Sequence, residues 1–535
     1  MPDTPTPPGP VDALGRLLIE VGVSRQAAPL ILDGESLDGP GVHDRTLALV
    51  ATDPLGIQEL IQASRRPLTT LGASTTLTDW DRALRHESTR FVDLGDLPQR
   101  TPWVPLYAGG GQGLLLTRAQ DADALVQSLK EQFTEKVHGT LGAAWLKVSP
   151  QELAQGPKEK GFGALLRAVG VALGRERDGY GPPVKVWNGP RCDECGVRPV
   201  AEGKVCKPCH GFAKIGQEVR GEWGIDPEHA SISDLAESHV AVLALDGTRV
   251  GKHLRGQETL RDYIHASHAL LEAFSSDTVR RALHIGPDGL RALPVMLGGD
   301  DVQLVFDARN SEGAPALALQ LINAIERELD THRLPIGVGA GLVISRHLGF
   351  QEAVGLARQL VVTAKAAARQ ADQRSGFDFE VVHGGAVLSE SVARLRQDRV
   401  GTLALTVGGS LRTRTFRHGL RPLTLDEAEA LVALARSLHL RELHQLRHIA
   451  ADLQEDPLVG LITASDLTGR ARTRGERPLL ERLRAPEPPW APREVPPDGW
   501  LLREREERAL DKVSTVWATA LPELITLADW TGGAA

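Results

Sequence analysis

The sequence has no apolar run long enough to cross a bilayer. Its longest, residues 114–116 and 356–368, are short or broken by charge, against the roughly 20 residues a spanning helix needs. No membrane association is expected. An export signal is lacking too: MPDTPTPPGP at the start has neither a basic end nor an apolar stretch and reads as a flexible tail, so the expected location is cytoplasmic. Positive charge is not in excess. The 61 Lys and Arg against 69 Asp and Glu leave a net charge of -8, which excludes a globally basic nucleic-acid surface of the histone or repressor kind but leaves room for local patches. Arg412, Arg414, Arg417, His418 and Arg421 form one. It reads either as solvated surface or as a face for phosphate, RNA or a partner subunit. Disorder is not indicated, since 41% hydrophobic and 24% charged residues are ordinary globular values. A length of 535 residues implies three or four domains.

What is present begins with a pattern that occurs twice. Residues 11–32 have helical spacing, and residues 46–52 then read as a buried strand. A turn at residues 53–56 leads into a helix over 57–64, a glycine-centred hairpin follows at 107–117, and a helix is expected over 121–140. The second occurrence has a strand at 239–245, a helix at 260–274, a hairpin at 293–306 and a helix at 316–329. A strand at 336–344 and an alanine-rich helix at 350–370 come next. Strand-helix-hairpin-helix twice over suggests a duplicated ferredoxin-like fold, an antiparallel sheet with helices on one face. Beyond residue 419 the pattern becomes strand-poor: residues 425–453 read as helical, 485–497 as a proline-rich loop, and 498–528 as mainly helical.

Cysteine is confined to one place. Cys192 and Cys195, then Cys206 and Cys209, form two C-x-x-C knuckles ten residues apart. Two short knuckles supply the four thiolates of a closed, structural tetrahedral Zn²⁺ site. Disulfides do not suit a cytosolic chain, and a redox pair needs only one knuckle.

The acidic residues that draw attention are Asp300 and Asp301, which follow Gly298 and Gly299 between two apolar segments. Adjacent carboxylates repel, so they persist where a cation neutralises them. Mg²⁺ or Mn²⁺ is the oxygen-seeking candidate, and the glycines let backbone approach a phosphate closely. Asp246 ends the strand expected to neighbour this hairpin, and Gly247 follows it. Asp246, Gly247, Asp300 and Asp301 are therefore the candidate ligands for two metal ions, the arrangement of nucleotidyl transfer. An ordinary hairpin turn is the plain alternative for residues 298–301 taken alone. Lys365 and Arg369, four residues apart on one helical face, are candidates to grip a triphosphate.

These residues resemble the large polymerase/cyclase-like subunit of type III CRISPR effector complexes. Thr52, Asp53, Pro54, Leu55, Gly56, Ile57 and Gln58 with Leu71, Gly72, Ala73 and Ser74 resemble that family's first palm. The cysteine knuckles resemble its zinc insert, and Asp246 to Lys252 with Gly298 to Asp301 its second palm. The resemblance implies an α+β chain with the following order: a tail and short helix at 1–44, a non-catalytic first palm at 45–186, a zinc insert at 187–235, a catalytic second palm at 236–395, and an all-helical domain at 396–535. It further implies RNA-activated synthesis of cyclic oligoadenylates from ATP, with guide RNA, target RNA and other CRISPR effector subunits as partners. Gly298, Gly299, Lys365 and Arg369 would contact ATP, and Ser64 and Gly110 would contact a second ATP at the first palm. Two departures stand out. His43 and Asp44 spell a nuclease dyad without the surrounding helices, so no DNase activity is expected, and Thr248 stands where relatives often carry another acid. Alternatives are a catalytically weak scaffold subunit of a guide-RNA complex and a stand-alone nucleotide cyclase.

Overall fold

The computed structural model describes residues 23–37, 46–56, 66–156, 161–179, 189–196, 198–201, 203–225, 238–346, 349–382, 400–407, 410–455, 503–509 and 512–531, with isolated residues between them. For 400–418 and 503–518 the backbone alone is described. The strands are β1 (Leu47–Leu55), β2 (Trp103–Gly109), β3 (Gln112–Arg118), β4 (Thr140–Val148), β5 (Val240–Thr248), β6 (Ala292–Gly298), β7 (Asp301–Asp307), β8 (Gly337–Ser345), β9 (Gly376–Val382), β10 (Val400–Val407), β11 (Ser410–His418), β12 (Leu423–Thr424), β13 (Arg503–Ala509) and β14 (Lys512–Thr519). The principal helices are α1 (Pro67–Leu84), α2 (Ala122–Lys136), α3 (Phe162–Asp178), α4 (Lys207–Val219), α5 (Leu260–Ala273), α6 (Ala314–Thr331), α7 (Phe350–Gln370), α8 (Leu425–Arg436), α9 (Leu440–Glu455) and α10 (Leu521–Trp530). Among the described residues no helix is long and apolar enough to cross a membrane.

The expected duplication is present. The first sheet runs β2-β3-β1-β4, and the second contains β6-β7-β5-β8 in the corresponding order, extended past β8 by β9 and β12. Each is the strand order of a β-α-β-β-α-β unit. In the first sheet β1 is central and antiparallel to both neighbours, with Ala51 opposite Leu114 on β3 and Ala144 on β4. The α+β class read from the sequence holds.

The chain divides into two compact units, Met1–Leu235 with Leu245–Val305 and Asn323–Gly337, and Ala236–Ala244 with Phe306–Ile322 and Val338–Ala535. In the first, Leu49, Val104, Leu106, Leu116, Phe162 and Ile264 belong to one buried cluster, each such side chain contributing about 1.5–3 kcal/mol on leaving water. Helix α1 has many polar side chains, yet Thr69, Thr70, Ser74, Thr76, Asp79 and Asp81 on it are all buried. It crosses α4 at backbone contact: a Cβ on Gly72 would lie 1.8 Å from the Phe212 carbonyl oxygen, and one on Gly216 would lie 1.9 Å from that of Leu68.

In the second unit β8 is glycine-rich because α7 lies directly on it. A Cβ at Gly341 would stand 2.1 Å from the Ala357 carbonyl oxygen, and one at Gly376 on β9 would stand 2.3 Å from that of Ala364. The alanines of α7 serve the same close approach, with Ala353, Ala357, Ala364, Ala367 and Ala368 buried.

Two expectations for the C-terminal part need correction. Residues 396–535 are not all-helical: α8, α9 and α10 are accompanied by a four-stranded sheet, β10-β11-β14-β13. The helical reading of 498–528 fails for β13 and β14 and holds for α10. Residues 485–497 lie outside the described residues.

Candidate functional site

The acidic turn is built as the sequence suggests. Strands β6 and β7 are buried through their middles and are joined by Gly299 and Asp300. Gly299 takes φ 64°, a conformation that favours glycine. Asp246 is the seventh residue of β5 and is half-buried. Its neighbour Gly247 donates its N–H to the Asp300 carbonyl at 3.0 Å, closing the strand end onto the turn. Gly247 is required there, since a Cβ would meet Asp300 Oδ2 at 3.1 Å and Val250 Cγ2 at 2.4 Å. The donors at this strand end and turn are all oxygen, which fits a hard divalent cation.

The three acids do not form a closed ligand set in this conformation. Among the described residues, the groups whose ligand atoms lie within 4.8 Å of one another are the four cysteines and the trio Glu272, Glu328 and His332. Asp300 and Asp301 are half-buried, so their carboxylates keep access to solvent. Thr248 is buried, and its hydroxyl has no hydrogen-bond partner among the described residues.

The first copy shows what the second has in addition. Asp53 is the seventh residue of β1, as Asp246 is of β5. Where the second copy has Gly298, Gly299, Asp300 and Asp301, the first has Gly109, Gly110, Gly111 and Gln112. Arg177 of α3 donates to Asp53 Oδ2, and Gln112 Nε2 approaches Asp53 Oδ1 at 3.4 Å. Burial raises the Asp53 carboxyl above its ordinary range, opposed by the Arg177 charge. The Asp53–Arg177 pair escaped the sequence reading because its members lie 124 positions apart.

The two glycine turns touch. A Cβ on Gly298 would fall 2.8 Å from both Gly110 N and Gly110 Cα, and one on Gly109 would fall 3.1 Å from Gly299 N. Asp81 of α1, 3% exposed, accepts the Gly111 N–H on both carboxylate oxygens, at 3.0 and 3.1 Å. Burial pushes its carboxyl up to about 7 against the opposing pull of these amides and of Arg85. The Tyr107 hydroxyl lies in the same place, 2.9 Å from where a Gly299 Cβ would be. Burial, then the charges of Asp300 and Asp81, hold its phenol well above the usual range and hence protonated. Neither Asp81 nor Tyr107 belongs to a motif that sequence reading can find.

The knuckles close as expected. Cys192, Cys195, Cys206 and Cys209 are free thiols, buried, with Cys195 Sγ and Cys206 Sγ 4.0 Å apart. A tetrahedron with Zn–S bonds near 2.3 Å has sulfurs about 3.8 Å apart, so the cluster fits zinc. Burial pushes the Cys192 thiol up, but the N–H groups of Cys195, Cys206 and Glu194 outweigh it and bring it down to about 7. Glu194, inside the first knuckle, is 4% exposed; it accepts the Thr69 hydroxyl at 2.5 Å and pairs with Arg66 at 3.4 Å. The knuckle is thereby fastened to α1.

Lys365 and Arg369 lie on α7. The Lys365 stem crosses Gly339, where a Cβ would be 2.4 Å from Lys365 Cγ. Ser64 and His43 lie outside the described residues. Of the basic segment, Arg412, Arg414, Arg417 and His418 fall on β11, whose side chains are not described. Arg421 is not surface at all, which corrects that reading for this residue. It is 8% exposed, donates to Glu523 at 2.9 Å, pairs with Glu380 at 3.2 Å and lies over the Phe379 ring. Two buried carboxylates repay the desolvation of its guanidinium, and removing one partner of such a pair costs about 3–5 kcal/mol.

No protein-family profile matches the chain, and no curated protein does. Among solved structures, chains of the Csm1–Csm4 cassette in complex with cA4 and with pppApA match at 14% identity, with TM-scores of 0.45 and 0.47. These matches span 85% and 87% of this chain and 70% of each of the others. The Csm1–Csm4 subcomplex in the type III-A CRISPR-Csm interference complex matches at 14% identity and a TM-score of 0.45, over 85% of this chain and 71% of that one. This chain is similar to them. Identities and TM-scores this low leave the chemistry to be read from its own residues.

Proposed function

We propose that this chain is the large polymerase/cyclase-like subunit of a type III CRISPR effector, and that its second copy joins ATP into cyclic oligoadenylates when a guide-RNA complex binds its target. The observation that carries the reading is the closure of Gly247 on Asp300 at 3.0 Å. It brings the end of the Asp246 strand to a turn bearing two more acids, on the second of two like-ordered sheets. Asp246, Asp300 and Asp301, with the Gly247 backbone, would hold Mg²⁺ or Mn²⁺. Such ions lower the pKa of an attacking hydroxyl and neutralise charge on the triphosphate and leaving pyrophosphate.

The chain's own residues do the rest. Gly298 and Gly299 present backbone without side-chain bulk where a phosphate has to approach. The Asp300 side chain packs against the strand end at Gly247, and Tyr107, kept protonated, offers a neutral O–H beside the turn. Lys365 and Arg369 contact phosphate in this reading, and the first copy, with its Gly110 turn and Ser64, accepts a second ATP. The four cysteines hold a structural Zn²⁺ that fixes the insert to α1.

The test is incubation of the chain with ATP and Mg²⁺ or Mn²⁺, with and without guide complex and target RNA, and resolution of the products by mass. A cyclic adenylate series that disappears on joint substitution of Asp300→Ala and Asp301→Ala is expected. No adenylate product under any condition defeats the enzymatic reading and leaves the scaffold subunit. Product formed equally without guide and target RNA points to a stand-alone cyclase.

A further inference from the structure

The first copy's turn is held from below and presses on the acidic turn from the side. Asp81 sends both carboxylate oxygens to the Gly111 N–H, with the Gly110 N–H as a further donor. Gly110 and Gly111 take φ 63° and 83°, a conformation other residues rarely adopt, so the carboxylate grips a turn whose backbone is already specialised. The gripped turn is in backbone contact with Gly298: the Gly110 N and Cα stand 2.8 Å from the vacant Cβ position there.

The same helix touches the acidic hairpin at a second point. One turn before Asp81, the Thr78 hydroxyl is shared between the Ser74 carbonyl of its own helix at 3.1 Å and the Leu297 carbonyl at 3.3 Å, on the strand that runs into Gly298. Thr78 and Asp81 are three residues apart and share one face of α1. That helix is locked in turn by its crossing with α4 at Gly72 and Gly216. Between the turns the Tyr107 hydroxyl fills the gap, 3.0 Å from the vacant Cβ position of Gly109 and 2.9 Å from that of Gly299. A fully buried acid is costly unless donors require it, and an apolar side chain at position 81 would pack without satisfying the Gly111 amide.

We infer that Asp81 is a positioning residue for the acidic turn. Its carboxylate clamps Gly110 and Gly111, and the clamped turn, through its contact with Gly298 and Gly299, sets where Asp300 and Asp301 stand. The degenerate copy therefore serves as the template against which the catalytic turn is shaped. This inference rests on the reading of that turn as the nucleotidyl-transfer site.

The test compares Asp81→Ala, which removes the acceptor, with Asp81→Asn, which keeps one acceptor oxygen without the charge, both in the full chain. Misplacement of reacting groups by about 1 Å costs on the order of 100-fold, so Asp81→Ala is expected to lower kcat about 10- to 100-fold. KM for ATP should stay within about twofold, because no binding group is removed, and Asp81→Asn should recover kcat to within about threefold of the parent chain. Hydrogen exchange of the peptide covering residues 293–306 supplies a readout independent of activity. It should quicken in the alanine variant and return to the parent rate in the asparagine variant. Parent-like kcat and exchange in Asp81→Ala overturn the inference, as does equal loss in both variants in step with a lower Tm. Should the parent chain make no adenylate product, the functional reading falls. The exchange comparison then decides the clamp: faster exchange in the alanine variant alone upholds it, and unchanged exchange overturns it.

Discussion

The two copies place an aspartate at the same point of the same strand and surround it differently. Asp53 meets one guanidinium, from Arg177, and one neutral amide, from Gln112. Asp246 stands at a strand end that Gly247 ties to a turn carrying Asp300 and Asp301. The first arrangement balances one acid with a cation that the chain itself supplies. The second gathers three acids on one strand end and one turn, which in the proposed reading hold a divalent ion. The difference teaches that the strand-end carboxylate belongs to the fold, whereas the groups gathered around it set the two copies apart.

The largest effect should come from removing the second copy's excess acid. Joint Asp300→Ala and Asp301→Ala is expected to lower product formation at least about 100-fold, since the side chains proposed to hold the metal ions are removed. Tm should hardly move, since both side chains are half-buried at a turn. A Tm scan beside the product assay separates loss of chemistry from loss of fold.

Next in size is the cysteine insert. Glu194 links its first knuckle to Thr69 and Arg66, so a metal held by the cluster is expected to stabilise α1. Cys192→Ser, or removal of metal by a strong chelator, is expected to lower Tm by more than about 5 °C, because structural zinc contributes folding free energy directly. Metal analysis of the purified chain should return about one zinc per chain. A Tm indifferent to chelation would show that α4 stands on packing alone.

How far these features were legible depends on how local their signal is. The knuckles and the acidic turn are spelled by neighbours a few residues apart. Asp81 was not legible, because its partner Gly111 is 30 positions away and the helix that carries it, over 67–84, was not read from the sequence. Nor was the C-terminal sheet: the charged sequence of β13 carries no apolar alternation to mark it. Arg412 and Arg414 on β11 are two residues apart, the period of a strand, a cue overshadowed by their charge. Arg421 looked like one more surface cation because its partners, Glu523 and Glu380, lie 102 and 41 positions distant.

A third test concerns the contact between the copies. Asp81 has its carboxyl at about 7 in the folded chain, from 3.8 otherwise, because burial disfavours its charged form. Its folded pKa is raised, so the native state binds the proton more tightly than the unfolded state does. The stability from this group is fully present below pH 4 and is lost as pH climbs through about 7. At roughly 1.4 kcal/mol per unit the change amounts to a few kcal/mol. Asp81→Asn should flatten unfolding free energy between pH 4 and 7 relative to the parent chain, measured by denaturant titration at several pH values. An unchanged slope would place the titration elsewhere.

The smallest expected effect is the sharpest test of the comparison. Arg177 is about half exposed, so Arg177→Ala alone should cost under about 1 kcal/mol. Combined with Gln112→Asp, it exchanges the built-in cation for a second carboxylate beside Asp53, and the first copy is then expected to take up Mn²⁺ weakly. Electron paramagnetic resonance would read this as added bound Mn²⁺ in a chain whose Asp300 and Asp301 have been replaced by alanine. The third acid is harder to restore. Gly111, the counterpart of Asp300, has φ 83°, and a Cβ there would meet Pro54 Cγ at 2.7 Å and Leu77 Cδ1 at 3.0 Å. Gly111→Asp is therefore expected to strain the turn that Asp81 holds and to lower the activity of the second copy without adding a metal site to the first. If it instead adds tight Mn²⁺ binding at no cost to the second copy, the two copies differ only in side chains. If it fails as expected, the first copy's silence is written into its backbone, in the conformation that lets it support the other.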